Sequence, residues 1–171
     1  VVEGEGRKKW NDVCLGKARM GSRIMCLETN KEGILLDDPV IDFDASMRVE
    51  CYDMLTGSFQ KHPRIIIVYT HIIEEIAKTI QKLIIIDKGS VRFFDTLQSV
   101  ETKAFRVSGL QKAVEAATRG LHVIGQDTVG GLVTSYIFDN PPEQAASLEI
   151  HPLSLQDFFI QMVGHKGGAA R

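Results

Sequence analysis

The side chains best suited to chemistry in this sequence follow two short apolar runs. Asp37 and Asp38 come directly after the run at 34–36, and His71 lies just beyond the run at 65–69. A carboxylate at the end of a buried strand can hold Mg²⁺ directly or through water, and the next carboxylate can polarise an attacking water. A histidine at the end of an adjacent strand can stabilise a terminal phosphate. These residue types therefore indicate the chemical half of a site that hydrolyses nucleotides.

The other half of such a site, a phosphate-binding loop, does not occur in the sequence. The pattern Gly-x-x-x-x-Gly-Lys-[Ser/Thr] is absent, and the nearest approach, Gly16-Lys17-Ala18, lacks the hydroxyl residue and the upstream glycine. The backbone N–H groups of that loop form the main cradle for the β- and γ-phosphates. We therefore expect no tight ATP binding by this chain alone. Because the sequence starts at Val1 rather than at methionine, we also expect it to be a fragment of a longer protein.

Alternating strands and helices are predicted to position the acidic residues and the histidine. The run at 65–69 is dominated by β-branched residues, which is typical of a strand buried on both faces of a parallel sheet. Neighbouring parallel strands end at the same edge of a sheet, so Asp38 and His71 are expected to lie close together. Asp44 is placed to cap a helix that begins at Ala45. The predicted strands of this part are 34–36, 65–69, 83–86 and 91–94.

From about residue 101 the pattern changes to that of a small α+β unit. Ser108 is predicted to cap a helix, Gly125 to Gly131 to join two strands, and Ser154 to open a terminal helix. The strands predicted here are 104–107, 121–124, 132–138 and 148–150. The sequence thus predicts an α/β part over 1–100, an α+β extension over 101–164 and a disordered tail over 165–171.

Composition excludes several classes of protein and favours an ordinary globular chain. The 171 residues are 44% hydrophobic and 25% charged, enough for one domain or one domain with a small appendage. The net charge of −2 gives no reason to expect binding to nucleic acid. No apolar run is long enough to cross a bilayer. The three cysteines lack Cys-x-x-Cys spacing, which indicates reduced intracellular thiols rather than disulfides or a zinc site.

Four motifs occur in a characteristic order along the first part of the chain. They are Leu35-Leu36-Asp37-Asp38-Pro39, Asp42-Phe43-Asp44-Ala45, Thr70-His71-Ile72-Ile73-Glu74-Glu75 and Ile84-Ile85-Ile86-Asp87-Lys88-Gly89. Together they resemble the ATP-binding subunit of a bacterial ABC transporter, whose pattern is Leu-Leu-Asp-Glu-Pro, Gly-Leu-Asp, Ser-Thr-His and a closing Asp-x-Gly strand. By motif the resemblance covers about residues 15–94. The segment 152–159 also resembles the C-terminal extension of such subunits.

The resemblance implies a role for each candidate residue. Asp37 would handle Mg²⁺, Asp38 would be the catalytic carboxylate, and His71 would be the switch histidine. Asp44 would lie in the loop that reaches the nucleotide across a subunit interface. The implied cofactors are Mg²⁺ and ATP, and the implied partners are a second ATPase subunit, in a homo-oligomer or with another chain, and a membrane permease subunit. The implied location is cytoplasmic, peripheral to the inner face of the membrane.

Asp38 departs from the family pattern, which has glutamate at this position. Aspartate is shorter by one methylene, so its carboxylate is withdrawn by about 1.5 Å. The geometry of a general base is sensitive on that scale, so the substitution predicts slow hydrolysis even in a complete site.

Alternatives remain at this point. On the residues alone, the Asp37-Asp38 pair also fits a turn, and His71 fits a structural histidine. The chain could also be a non-enzymatic interaction, regulatory or dimerisation module derived from an ABC ATPase. A further alternative is a degenerate subunit that supplies only interface loops to an intact partner ATPase.

Overall fold

The protein has a mixed α/β structure, as predicted. The computed structural model describes residues 20–22, 25–29, 31–143 and 147–164, and the predicted disordered tail at 165–171 lies outside them. The elements in chain order are β1 (Gly33–Asp37), α1 (Ala45–Lys61), β2 (Ile65–Tyr69), α2 (Ile73–Ile76), β3 (Lys82–Asp87), β4 (Ser90–Thr96), α3 (Leu97–Lys103), β5 (Ala104–Leu110), α4 (Gln111–Ala117), β6 (Val123–Val129), β7 (Leu132–Phe138), β8 (Leu148–Pro152) and α5 (Leu155–Gly164). Within this described part, every helix is too short or too polar to span a membrane.

The chain divides into two compact units, the first ending at Glu75 and the second beginning at Ile76. The β3–β4 hairpin therefore groups with the C-terminal sheet by its contacts. The boundary near residue 100, which was predicted from the change in pattern there, stays a prediction.

The first unit is built on one pair of parallel strands and one long helix. β1 and β2 pair in register from Gly33 opposite Ile65 to Asp37 opposite Tyr69. Alternate positions of β1 are buried, and α1 buries one face, so the two elements supply much of the core of this unit. The buried residues of β1 and α1 are Ile34, Leu36, Cys51, Tyr52 and Leu55.

The prediction that residues 65–69 form a strand buried on both faces is wrong. One face of the β1–β2 pair is exposed, and it carries apolar side chains with 52–70% of their surface accessible: Leu35, Ile65, Ile67 and Tyr69. The parallel arrangement extends over only two strands in the described residues. A β-branched run indicates a strand, but burial of its second face depends on a covering element that the run itself does not specify.

The second unit contains the β3–β4 hairpin and a four-stranded antiparallel sheet of order β6-β7-β5-β8. One face of this sheet carries a buried cluster of Val107, Val114, Val133 and Ile137. Three phenylalanines from β4, β7 and α5 form a second cluster, with ring centroids 5.0–5.3 Å apart. The predicted pairing of a strand near 121–124 with 132–138 is confirmed by β6 and β7, where β7 has the predicted bounds and β6 runs from Val123 to Val129.

Two local predictions for the second unit are wrong. Ser108 lies inside β5, where its hydroxyl is 2.9 Å from the Thr134 hydroxyl, and it does not cap a helix. The following helix begins at Gln111 and has no side-chain cap. Gly125 lies within β6, and the turn consists of Gly130 and Gly131, whose φ angles are 58° and 86°. Positive φ at both central residues matches the right-handed twist of a hairpin.

The caps predicted at two other helices are confirmed. The Asp44 carboxylate accepts a hydrogen bond from the Met47 backbone N–H at 2.9 Å, at the start of α1. Ser154 accepts from the Asp157 backbone N–H at 3.0 Å and donates to the Asp157 carboxylate at 2.9 Å. Each cap satisfies backbone donors that a helix N-terminus leaves unpaired.

We expect Gly109→Ala to destabilise the second unit, because Gly109 lies where β5 and β8 approach closely. A Cβ at this position would lie 2.9 Å from the Ser147 carbonyl oxygen and 3.0 Å from Leu148 Cδ2. Displacing these atoms should lower the free energy of unfolding by about 1–3 kcal/mol in urea denaturation. Gly57→Ala is the control, since a Cβ there meets nothing within 4 Å in the middle of α1. The control should gain about 0.5–1 kcal/mol, and equal effects of both changes would contradict the close approach.

Candidate functional site

The carboxyl ends of β1 and β2 bring Asp38 and His71 together, as the prediction of parallel strands requires. The His71 Nδ1 atom lies 3.2 Å from Asp38 Oδ1 and 3.1 Å from Oδ2. The His71 backbone N–H is also directed to Oδ1, at 3.4 Å. The two residues are 33 positions apart in the sequence, so their contact depends on the pairing of the strands.

The backbone around Asp38 forms a tight turn that presents its carboxylate at the strand edge. The Asp38 N–H donates to the Tyr69 carbonyl oxygen at 2.7 Å, which continues the β1–β2 ladder by one residue. The Asp38 φ angle is +38°, a conformation that aspartate adopts more readily than most residues. Its own carbonyl then accepts from the Ile41 N–H at 3.2 Å, which closes the turn over the buried Pro39 and Val40.

The electrostatics of the pair favour an ionised Asp38. Partial burial raises the pKa of its carboxyl group, since the side chain is only 22% exposed. The pKa is lowered by hydrogen bonds from Thr70 and from the ring and backbone of His71, and by the His71 charge. Together these effects are larger than the effect of burial. The net pKa of Asp38 is below the ordinary 3.8. A carboxylate of this kind can hold a cation or polarise a water, but it retains a proton poorly.

Asp37 lies on the exposed face of β1, opposite Tyr69. Mg²⁺ in nucleotide sites is commonly held by one or two carboxylates, with water and phosphate oxygens completing its shell. A single exposed carboxylate beside Asp38 fits that requirement. In the described part of the chain no three histidine, cysteine or acidic residues cluster as a metal site.

Asp44 is exposed and already has a structural role, because one of its oxygens caps α1. Among the described residues, neither Asp44 nor Asp37 makes a hydrogen bond with Asp38 or His71. The structure thus joins two of the four predicted site residues directly and leaves the other two nearby in sequence. The nucleotide-binding role of Asp44 stays a prediction.

Three polar residues near this site, Arg48, Tyr52 and Glu75, were assigned no role from the sequence, although Glu75 ends one of the four motifs. Arg48, on α1, donates from Nε to the Phe43 carbonyl oxygen at 2.8 Å and from Nη1 to Glu75 Oε1 at 3.1 Å. Tyr52 lies one turn after Arg48, and its hydroxyl is buried with no hydrogen-bond partner among the described residues. The available signal was weak, namely an arginine and a tyrosine four positions apart on a helix that follows the acidic motif.

The Tyr52 hydroxyl is held in its neutral form by its surroundings. Burial, followed by the charges of Glu75 and Cys51, raises the pKa of Tyr52 to about 12. The Oε2 atom of Glu75 is likewise buried without a hydrogen-bond partner in the described residues.

We expect Asp38→Asn to remove an acid-sensitive part of the stability. The pKa of Asp38 is lower in the folded than in the unfolded chain, so its carboxylate stabilises the fold above about pH 4. This contribution is lost as the pH falls through the lower folded value. The free-energy gap between wild type and Asp38→Asn, measured by urea denaturation, should therefore shrink between about pH 5 and pH 2. Asp37→Asn is the control, because Asp37 has no contact with His71, and a gap independent of pH would refute the interaction.

We expect Tyr52→Phe to protect the protein at alkaline pH without a cost at neutral pH. The raised pKa of Tyr52 means that the folded state holds this proton more tightly, so stability falls as the pH rises from about 10 towards about 12. The phenylalanine variant lacks this loss. At neutral pH the change should stay within about 1 kcal/mol, since the removed hydroxyl has no partner.

The matched control for Tyr52→Phe is Tyr136→Phe, which removes a hydroxyl that donates to Asp127 at 2.9 Å. It should cost about 1 kcal/mol at neutral pH. A similar cost for Tyr52→Phe would show that its hydroxyl is satisfied after all.

Comparison with known proteins agrees with the motifs. No family model matches the chain. Over 98 residues it is 31% identical to the energy-coupling factor transporter ATP-binding protein EcfA2 of Clostridioides difficile (strain 630). The matched region is 57% of this chain and 34% of that protein, so the chain spans about a third of the length of this relative. The similarity supports a relationship to the ATP-binding subunits of transporters.

Proposed function

We propose that this chain contributes the Mg²⁺- and water-handling edge of an ATP site of the ABC transporter type. The observation that carries the proposal is the contact between Asp38 and His71 at the carboxyl edge of two parallel strands. The similarity to a transporter ATP-binding protein supports it independently of the geometry. In this proposal residues 1–100 derive from the C-terminal part of an ABC ATPase domain of the P-loop type, and 101–164 form its extension.

Each residue has a role that follows from its chemistry. Asp37 would hold Mg²⁺, which neutralises the charge of the phosphates. The ionised Asp38 would orient a water, although with a shorter reach than glutamate. His71 faces Asp38 through Nδ1 and is 70% exposed, so its Nε2 atom is available for a phosphate. A histidine donates a hydrogen bond to an anion from Nε2 only when that nitrogen carries a proton.

The absence of a phosphate-loop pattern from the sequence limits how tightly this site can bind ATP. A site without backbone donors for the β- and γ-phosphates holds ATP weakly. We therefore propose that the chain does not hydrolyse ATP alone, and that the loop comes from a longer form of the chain or from a partner ATPase subunit. The partner subunits would bind a membrane permease, with Asp44 near the subunit interface. The location would be the cytoplasmic face of the membrane.

The bare apolar face of the β1–β2 pair favours a second candidate function, that of a non-enzymatic interaction module. Leu35 and Ile65 are 70% and 68% exposed on this face, which is unusual for parallel strands. On this account the chain forms an oligomer or binds a partner through the sheet, and the acidic residues at the strand ends no longer take part in catalysis. Light scattering that finds a monodisperse monomer would count against this candidate.

The first test is calorimetric titration of the chain with ATP and Mg²⁺. The chain alone should show no tight stoichiometric binding, since it lacks the phosphate cradle. Micromolar binding that is lost in Asp37→Ala would instead mean that the site is complete without a recognisable loop.

The second test supplies the missing loop by grafting residues 31–95 into the C. difficile relative in place of its matching segment. If Asp38 orients the water, Asp38→Glu in the graft should raise the hydrolysis rate by up to about a hundredfold, because it restores the reach of the carboxylate. Asp53→Glu, an exposed position on α1, is the control and should leave the rate unchanged. A graft that binds ATP but responds equally to Asp38→Glu and Asp38→Ala would overturn the assigned role.

A further inference from the structure

We propose that Arg48 is a positioning residue that holds His71 against Asp38 by fastening together the two chain segments that carry them. The inference rests on the proposed function of the Asp38–His71 pair. It concerns how that pair is held, and its test requires no nucleotide.

His71 cannot hold its own position. Its side chain is 70% exposed, and within the part of the chain that the structure describes the hydrogen bonds of its ring run to Asp38. Its placement therefore depends on the backbone of the segment that follows β2. The only regular structure in that segment is α2, whose four residues Ile73–Ile76 are far too few to be stable as an isolated helix. The His71 backbone N–H and Thr70 tie the start of this segment to Asp38, whereas its end at Glu75 needs a separate anchor.

Arg48 provides this anchor through two hydrogen bonds in different directions. Its Nε atom donates to the carbonyl oxygen of Phe43, a buried residue in the loop that begins at Asp38. Its Nη1 atom donates to Glu75, four residues after His71. The guanidinium group is planar and rigid, so the two bonds fix the loop after Asp38 and the segment after His71 relative to each other. α1, with 17 residues and a capped start, is a firm base for this clamp.

The surroundings of Glu75 make its pairing with Arg48 more than a loose surface contact. The Oε2 atom of Glu75 and the hydroxyl of Tyr52 are both buried without a hydrogen-bond partner among the described residues. The side chains of Arg48 and Glu75 are only 31% and 38% exposed. Removing the arginine would leave a partly buried carboxylate with neither oxygen satisfied. The least costly response is for Glu75 to move outward into water, and this movement carries the segment and His71 with it.

An ordinary ion pair would predict a different result. If the ion pair between Arg48 and Glu75 only adds stability, breaking that pair lowers the melting temperature. The His71 ring then stays on Asp38 in the molecules that remain folded. If they position His71, the ring contact is lost in folded protein. The orientation of the ring therefore separates the two accounts.

The experiment is nuclear magnetic resonance of the full chain labelled with ¹⁵N, without nucleotide. At about pH 8.5, above the ordinary range of imidazole, contact with Asp38 should hold His71 in the tautomer that is protonated at Nδ1. Its ring should also show nuclear Overhauser effects to the Asp38 β-protons. In Arg48→Met we expect these effects to disappear and the ring nitrogens to show the tautomer mixture of a freely rotating imidazole. Arg48→Lys should show the same loss, because an ammonium group cannot reproduce the planar two-way clamp.

The matched control is Arg92→Met, which breaks a similar pair, since Arg92 Nη2 lies 3.1 Å from Asp87 Oδ2. This variant should leave the His71 signals unchanged. Glu75→Gln keeps the side-chain volume and removes the charge, so it tests the clamp if Arg48→Met fails to fold, and it should weaken the same ring contacts. Well-dispersed spectra of the Arg48 and Glu75 variants with His71 signals identical to wild type would overturn the proposal. A graft that binds ATP and responds equally to Asp38→Glu and Asp38→Ala, together with loss of the ring contact in Arg48→Met of the full chain, would refute the proposed function and leave the positioning role intact.

Discussion

The parallel pairing of β1 and β2 is the constraint on which the first unit depends. Side chains alternate along each strand, so a shift of one residue in this pairing would exchange the faces of a strand. Ile34 and Leu36 would then lose their buried positions, and Asp38 would no longer lie beside His71. The same register therefore serves the core and the candidate site. A change that harms the packing of these strands also disturbs the chemistry at their ends.

The first unit has an uncovered apolar face and an incomplete phosphate site, and both lie on the same pair of strands. The apolar face with Leu35 and Ile67 is exposed, and the carboxyl edge offers acids and a histidine in a sequence that lacks the phosphate-loop pattern. Parallel sheets are normally covered on both faces, so a bare face is costly in water. Any element that covers it would lie on the strands whose ends carry Asp38 and His71. Burial of the face and completion of the site could therefore be one event, which gives a physical reason to consider the enzymatic and interaction candidates together.

Local rules predicted the elements of this chain well, whereas features that depend on distant contacts escaped them. Asp44 caps α1 as predicted because the cap involves only the next few residues. Ser108 has the same capping chemistry, but β5 pairs with β7 and β8 on both sides, and this pairing outweighs a local cap. The proximity of Asp38 and His71 followed from one assumption about parallel strands. The clamp from Arg48 to Glu75 joins residues 27 positions apart, and Arg48 belongs to no motif, so the sequence carried no signal specific enough to predict the pair.

The state of Asp38 in this structure also limits what the site can do unaided. Both of its carboxylate oxygens lie within 3.2 Å of the His71 ring, and Thr70 donates to the same group. A water that is to be polarised must therefore compete with these donors or replace one of them. The shorter reach of aspartate makes this competition harder, since the carboxylate cannot extend past the histidine.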